Sequence, residues 1–427
     1  MSNSNRRNFL KVMGGVSLAS AMGLGATRAH AAVNAKVIVV GGGYGGAIAA
    51  KYLKMAEPSL DVVLIEKNKL FVSCPLSNTV LAGYGKIENL TFGYEGLSRH
   101  GITVVHDTVE SIDAQARKVM ISGGKTFDYD RVIVSPGVDF KWGAIKGYDE
   151  ATSLTIPHAW KAGPQTTLLA NQLKDMKDGG VVIITAPDNP FRCPPGPYER
   201  AALIAHYLKQ YKPHSKIIIL DAKDKFSKQG LFTQGWKQHY GDMIEWVAAA
   251  KGGEIEAIDA ATRTTISVVG AKHQADVLNV IPPQHAGHIA HTAGLVNAKG
   301  WCPINPLTCE STLHKNVYVV GDACVGGAMP KSGYGANAQA KVAAAAVVAS
   351  LRGVEPDEPS YLNTCYSLIT PDHGISVAGI YQAKDGQLIE VPGSGGVSPM
   401  DASPAYRKIE ATHANSWLKN ITTEMFG

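Results

Sequence analysis

Hydrophobic positions in this chain fall into short, fully apolar runs separated by glycine turns and longer helical stretches. Lys36–Val40 reads Lys-Val-Ile-Val-Val, and a run without polar alternation predicts a strand buried on both faces. It ends in Gly41-x-Gly43-x-x-Gly46 and passes into a helical stretch, Ala47–Met55. Asp61–Ile65 is the next apolar run, closed by Glu66. The pattern then repeats, with Gly180–Ala186 as a strand, Tyr198–Tyr211 as a helix, and Lys216–Leu220 as a strand closed by Asp221. Between the two units, Thr103–Asp113 and Lys118–Ile121 predict strands, followed by a Gly123-Gly124 turn and the run Asp128–Gly137. Asn316–Val320 predicts a late strand and Ala336–Leu351 an Ala-rich helix. Strands alternating with helices in this way predict an α/β fold built on parallel sheets.

The first of these turns carries chemistry. In a strand–glycine turn–helix unit, the glycines permit the tight turn, close approach of a pyrophosphate, and close helix–strand packing. The helix N-terminus presents unpaired amides and the positive end of its dipole to the phosphates. Glu66, about 20 residues further on, is placed to accept hydrogen bonds from ribose hydroxyls and to repel a 2′-phosphate. Gly41, Gly43, Gly46 and Glu66 are therefore assigned to a dinucleotide cofactor, together with Val109 and Gly137 from the later strands. The second unit departs from this pattern. Its turn, residues 185–197, holds five prolines and one glycine and cannot make a glycine-lined pyrophosphate contact. A nicotinamide nucleotide site is predicted to be lost there, and Cys193 stands in its place.

Near the N-terminus, Arg6-Arg7-Asn8-Phe9-Leu10-Lys11 precedes an apolar stretch, Val12–Ala26, and a small-residue cleavage pattern, Ala29-His30-Ala31. Residues 1–31 read as a twin-arginine export signal, an ordinary N-terminal helix being the alternative, and export implies the periplasm. The stretch is too short and too rich in Gly and Ser to span a membrane, and no second apolar span follows. Its removal takes Arg6, Arg7, Lys11 and Arg28 and no acid, so the net charge of +5 falls by four. Nucleic acid and anionic membrane surfaces lose their support as partners. Disulfides are permitted in that compartment, so pairing is open for all six cysteines: Cys74, Cys193, Cys302, Cys309, Cys324 and Cys365. Zinc and iron–sulfur spacings are absent, as is Cys-x-x-Cys-His, so no metal site and no covalent haem are expected.

The run Val317–Ala323, with Asp322 at the end of its strand, followed by Met329-Pro330-Lys331-Ser332-Gly333, resembles the flavoproteins with two dinucleotide domains. That resemblance implies FAD, held by Asp322 at its ribityl and pyrophosphate end, with Lys331 and the following helix start at the flavin's pyrimidine edge. Asn363-Thr364-Cys365-Tyr366, Val280-Ile281-Pro282-Pro283-Gln284 and the proline turn extend the likeness to the sulfide-oxidising branch. Phe71-Val72-Ser73-Cys74-Pro75 and the chain end Ser416–Gly427 resemble the flavin subunit of flavocytochrome c sulfide dehydrogenases. The family likeness implies a redox-active Cys193–Cys365 disulfide, a thioether from Cys74 to FAD, and a separate c-type cytochrome subunit as electron acceptor. It also implies two Rossmann-like domains, the second degenerate, plus a small α+β C-terminal domain. The expected boundaries are 36–150 and 275–355 for FAD, 151–274 for the degenerate domain, and 356–427 for the last. A sulfide:quinone reductase and a thiol–disulfide partner of another protein are the rival functions; a chain end too short and polar for an amphipathic anchor argues against the first. Glu199 reads either as a proton acceptor or as a solvated acid in a helix's first turn. His158, His285 and His288 are expected to be structural. For Cys302 and Cys309 a disulfide and free buried thiols are both open, and Cys324 has no assigned role.

Overall fold

A computed structural model describes residues 33–427, so the export-signal reading of residues 1–31 lies outside the described residues. Lys36–Val40 lies between Asp61–Ile65 and Arg131–Val134, and the sheet continues to Ile102–Val105 on one side and Val317–Val319 on the other. All four pairings are parallel. Val37, Ile38 and Val39 are fully buried, as expected for a central strand with both faces covered. Helices Gly46–Ala56 and Gly333–Arg352 pack together on this sheet. The second helix begins three residues before the expected Ala336, because Ser332 caps it by accepting the Gly335 amide at 2.9 Å. The stretch Thr103–Asp113 is two strands: Ile102–Val105 belongs to the parallel sheet, and Val109–Asp113 opens an antiparallel meander with Lys118–Ile121 and Thr126–Asp128.

The second half repeats the plan. Ile244–Val247, Lys216–Asp221, Val181–Ala186 and Val277–Val280 form a four-stranded parallel sheet in that order, accompanied by a meander of Ile255–Asp259, Thr264–Ser267 and Lys272–Gln274. Val277–Val280 falls in the stretch that the sequence reading places in the FAD domain. Its four buried residues instead pair with Val182–Thr185 and complete the second sheet.

The C-terminal part pairs the long strands Ser360–Thr370 and His373–Lys384 with Gln387–Glu390 and Gly396–Val397, then adds the helix Pro404–Phe426. Pro404 at the first helical turn and the Ser403 cap fix where that helix starts. It is anchored to the first half at its far end. Phe426 packs against Phe71, Phe92 and Tyr94, and Glu424 accepts from Tyr52, Asn337 and Lys341. Burying a ring of this size contributes about 1.5–3 kcal/mol. Among the described residues no helix is long and apolar enough to cross a membrane.

Candidate active site

The two halves and the C-terminal sheet converge on one cavity of about 200 Å³. Its wall takes Gly43, Gly137 and Asp322 from the first half, Cys193, Glu199 and Arg200 from the second, and Cys365 and Trp417 from the C-terminal part. The first glycine turn is fixed by contacts that exclude side chains. Gly41 has φ +92°, and a Cβ on Gly46 would lie 1.7 Å from the Gly41 carbonyl oxygen. Gly43 differs, because a Cβ there would meet no protein atom closer than 3.9 Å. Nothing in the protein requires glycine at 43, and the space over it opens to the cavity. Glu66 latches the same turn, accepting the Gly42 amide at 2.7 Å and the Asn68 amide at 2.8 Å.

Three residues lining the cavity carry a buried polar atom without a partner: Asp322 Oδ1 and the indole nitrogens of Trp160 and Trp417. Burial pushes the Asp322 carboxyl up, against the pull of Arg192 and Lys331. An orphaned acceptor, two orphaned donors and the open space over Gly43 fit a flavin dinucleotide. Cys74 also lines the cavity, its sulfur 3.6 Å from the Trp160 carbonyl and 3.4 Å from the Ala162 amide that donates to it. Gly41, Gly46 and Glu66 stand behind the cavity at the turn, and Val109 sits away from its lining, paired with Ile121.

Lys331 is placed differently from expectation. Its ammonium donates to the carbonyls of Asp322 and Cys324 at 2.7 and 2.6 Å and lies 3.8 Å from the Trp301 ring centre. It is not among the residues lining the main cavity. Its own carbonyl accepts the Cys193 amide at 2.9 Å, so Lys331 ties the flavin strand to the cysteine turn. The cations on the cavity wall are Arg192 and Arg200. Arg200 spans Asn78, Asn279 and the backbone of His158 and Ala159, with its guanidinium 4.9 Å from the Trp160 ring centre.

The proline turn holds Cys193 at φ +58°, a left-handed conformation unusual for a residue with a side chain. It brings Cys193 to the same cavity wall as Cys365, on the middle of the strand Ser360–Thr370. Both are free thiols in this structure. The neighbouring Cys365 and burial hold Cys193 well above the ordinary thiol range, while Cys193 brings Cys365 below it against the opposing effect of burial. Lys228 adds to the fall at Cys365.

Glu199 is buried rather than solvated, and Asn78 and the Leu368 amide both donate to it at 2.9 Å. Burial raises its carboxyl above the usual range. His158 is buried and neutral, its pKa lowered by burial to about 3. Of the two readings for Cys302 and Cys309, the free buried thiols hold. Cys302 pairs with Cys324 across a strand bridge, Cys309 sits 3.5 Å from the Tyr361 hydroxyl, and burial lifts both thiols to about 12. Tyr44, Asn78, Trp160, Arg192, Arg200 and Lys228 were not singled out by motif. Arg192 adjoins Cys193 in the proline turn, which is the one signal that pointed to it.

Comparison with known proteins separates the chain into three matches. Residues 35–165 match the pyridine nucleotide-disulphide oxidoreductase model. Residues 166–282 match sulfide dehydrogenase (flavocytochrome c) flavoprotein chain, central, and residues 357–426 match flavocytochrome c sulphide dehydrogenase, flavin-binding. The sulfide dehydrogenase (flavocytochrome c) flavoprotein chain of Chlorobaculum thiosulfatiphilum is 56% identical over 45 residues, which are 94% of that sequence and 10% of this chain. The chain belongs to the flavocytochrome c sulfide dehydrogenase flavoprotein family. As a member of it, the chain is an FAD-dependent oxidoreductase with two dinucleotide-type domains, and Gly43 and Asp322 both line the central cavity. A mitochondrial sulfide:quinone oxidoreductase from Dictyostelium discoideum is more distant, 23% identical over 73% of this chain and 70% of its own length. The solved sulfide:quinone oxidoreductase from Aquifex aeolicus shares the fold, with a TM-score of 0.70 at 18% identity, covering 92% of this chain and 91% of that one.

Proposed function

We propose that this chain is a periplasmic flavoprotein subunit that oxidises hydrosulfide through a Cys193–Cys365 disulfide and hands the electrons, by way of FAD, to a c-type cytochrome subunit. The observation that carries the reading is the second turn. Where a nucleotide-binding loop would present glycines, five prolines present a cysteine, and a second cysteine lines the same cavity.

Hydrosulfide attacks one sulfur of the bridge. The S–S bond breaks, a persulfide forms on that cysteine, and the other cysteine leaves as a thiolate. Closure of the thiolate onto the persulfide gives a trisulfide and releases one proton and two electrons. A second hydrosulfide displaces hydrodisulfide and restores the bridge. Glu199, with its carboxyl raised by burial above the usual range, takes the proton. FAD, when bound, supplies two-electron acceptance and one-electron return, which a haem acceptor requires. Cys74, at the cavity wall, is the residue placed to tether it by a thioether.

Anaerobic titration of the purified flavoprotein tests this. Sulfide is expected to bleach the flavin absorbance within seconds, and NADH to leave it unchanged. Bleaching by NADH overturns the reading of the second turn, and bleaching by neither overturns sulfide as donor in favour of a thiol partner. A quinone acceptor is the second reading, supported by similarity to sulfide:quinone oxidoreductases over 73% of the chain. Reoxidation of the bleached protein by cytochrome c but not by a short-chain quinone separates the two.

A further inference from the structure

Lys228 lies outside the cavity lining, yet its ammonium is buried against the strand that carries Cys365. It stands one residue before the helix Gln229–Tyr240 at φ +61°, a left-handed conformation that favours glycine or asparagine, and it is 8% exposed. Its ammonium donates to the Cys365 carbonyl at 3.3 Å and the Ser367 hydroxyl at 2.8 Å, with the Phe232 ring centre 5.8 Å away. Both hydrogen-bond partners are neutral. The acids whose ionisation it favours are Cys193, Cys365 and Glu199, which come from the proline turn, the strand Ser360–Thr370 and the helix Gly196–Tyr211. Glu199 is already held by Asn78 and the Leu368 amide. A buried cation set among neutral partners is unfavourable unless a negative charge arrives beside it.

We infer that Lys228 is a positioning residue whose ammonium serves as the counter-charge of the Cys365 thiolate when the Cys193–Cys365 bridge opens. This rests on the proposed redox pair. Its consequence is directional: the sulfur leaving an opened disulfide is the one whose thiolate is better stabilised. Cys365 is then the leaving sulfur, the incoming sulfur joins Cys193, and the electron pair of the broken S–S bond rests on Cys365 opposite Lys228. Before attack the pair is an uncharged disulfide; after it, one negative charge faces one positive charge, so the geometry favours the opened state.

The test uses the reduced holoprotein, alkylated anaerobically with iodoacetamide between pH 5 and 9, with each cysteine followed by peptide mass. In the parent, Cys365 is expected to react before Cys193, with a midpoint below that of an ordinary thiol. Lys228→Met should raise the Cys365 midpoint by about one pH unit and slow its alkylation about tenfold below that midpoint; Lys228→Arg should restore both. An unchanged midpoint in Lys228→Met, or Cys193 reacting first in the parent, overturns the inference. Should Lys228→Met fail to fold, Ser367→Ala frees the ammonium from its hydroxyl seat while leaving the lysine in place. It is expected to move the midpoint, and no movement overturns the inference. The readout needs no sulfide. Failure of sulfide to bleach the parent flavin alongside a normal Lys228 effect therefore overturns the substrate and leaves the counter-charge standing.

Discussion

The two strand–turn–helix units begin alike and do opposite things with their turns. In the first, the helix Gly46–Ala56 starts so close to the preceding strand that a Cβ on Gly46 would strike the Gly41 carbonyl. In the second, the helix Gly196–Tyr211 starts after a proline-stiffened loop that projects Arg192 and Cys193 into the cavity. Its one glycine, Gly196, faces the Trp160 ring and the Cys193 sulfur, where a Cβ would come within 2.6 and 3.2 Å. The first turn makes room for a phosphate. The second fills that room with a thiol. A duplicated scaffold thus brings a glycine turn and a cysteine turn to one cavity, and under the proposed function the second supplies the redox partner of the cofactor held by the first.

The sharpest break in the comparison is Cys193→Ser. Loss of either sulfur of the pair should lower sulfide turnover at least about 10³-fold, or about 4 kcal/mol of activation free energy, while flavin content stays at the parent level. Loss of flavin together with activity would mean that the second turn supports the cofactor rather than the chemistry. Glu199→Gln comes next, with an expected loss of about 10²-fold. As a base, Glu199 acts only when ionised, and burial raises its pKa, so the parent should lose rate as pH falls through a value above the ordinary carboxylate range. Dividing the parent rate by the variant rate at each pH cancels the ionisation of sulfide. That ratio should climb with pH and level off; a ratio flat from pH 5 to 8 would remove Glu199 from proton transfer.

Much of this fold could be read from local pattern. Lys36–Val40, Asp61–Ile65 and Val181–Ala186 are continuous apolar runs next to turn residues, and a strand buried on both faces has few other ways to be written. The site was less legible, because its members meet only through tertiary packing. Cys193 and Cys365 belong to a turn and to a distant strand, and only family likeness joined them. Lys331 looked like a cation at the flavin edge because it precedes a helix start. Its ammonium turns instead to the Asp322 and Cys324 carbonyls, which a strand end leaves unpaired. Glu199 reads as a solvated first-turn acid until Asn78 and the strand carrying Leu368 close over it. Lys228 had no signal at all: a lysine in a polar loop looks exposed until the C-terminal sheet is laid against it. Val277–Val280 lies in the stretch assigned to the FAD domain yet completes the second sheet, because a buried four-residue strand with one polar residue, Asn279, suits either one.

The two glycines of the first turn separate what the fold needs from what the ligand needs. Gly46→Ala puts a methyl 1.7 Å from the Gly41 carbonyl, so strand and helix must part. Overpacking of this kind costs about 1–3 kcal/mol, and the variant should melt earlier and retain little flavin. Gly43→Ala meets only the Phe71 ring edge at 3.9 Å, an ordinary contact. A Gly-to-Ala change just ahead of a helix leaves chain stability within about 0.5 kcal/mol, so the flavin-free protein should melt as the parent does. Its methyl nevertheless lines the cavity where the pyrophosphate approach was assigned. Flavin affinity should therefore fall about tenfold, or about 1.4 kcal/mol, measured by FAD titration of apoprotein in a Cys74→Ala background so that no tether hides the loss. An apoprotein melting several degrees early would show Gly43 to be structural like Gly46. Unchanged affinity would move the pyrophosphate off this turn, and the contrast between the two turns would then rest on the cysteine alone.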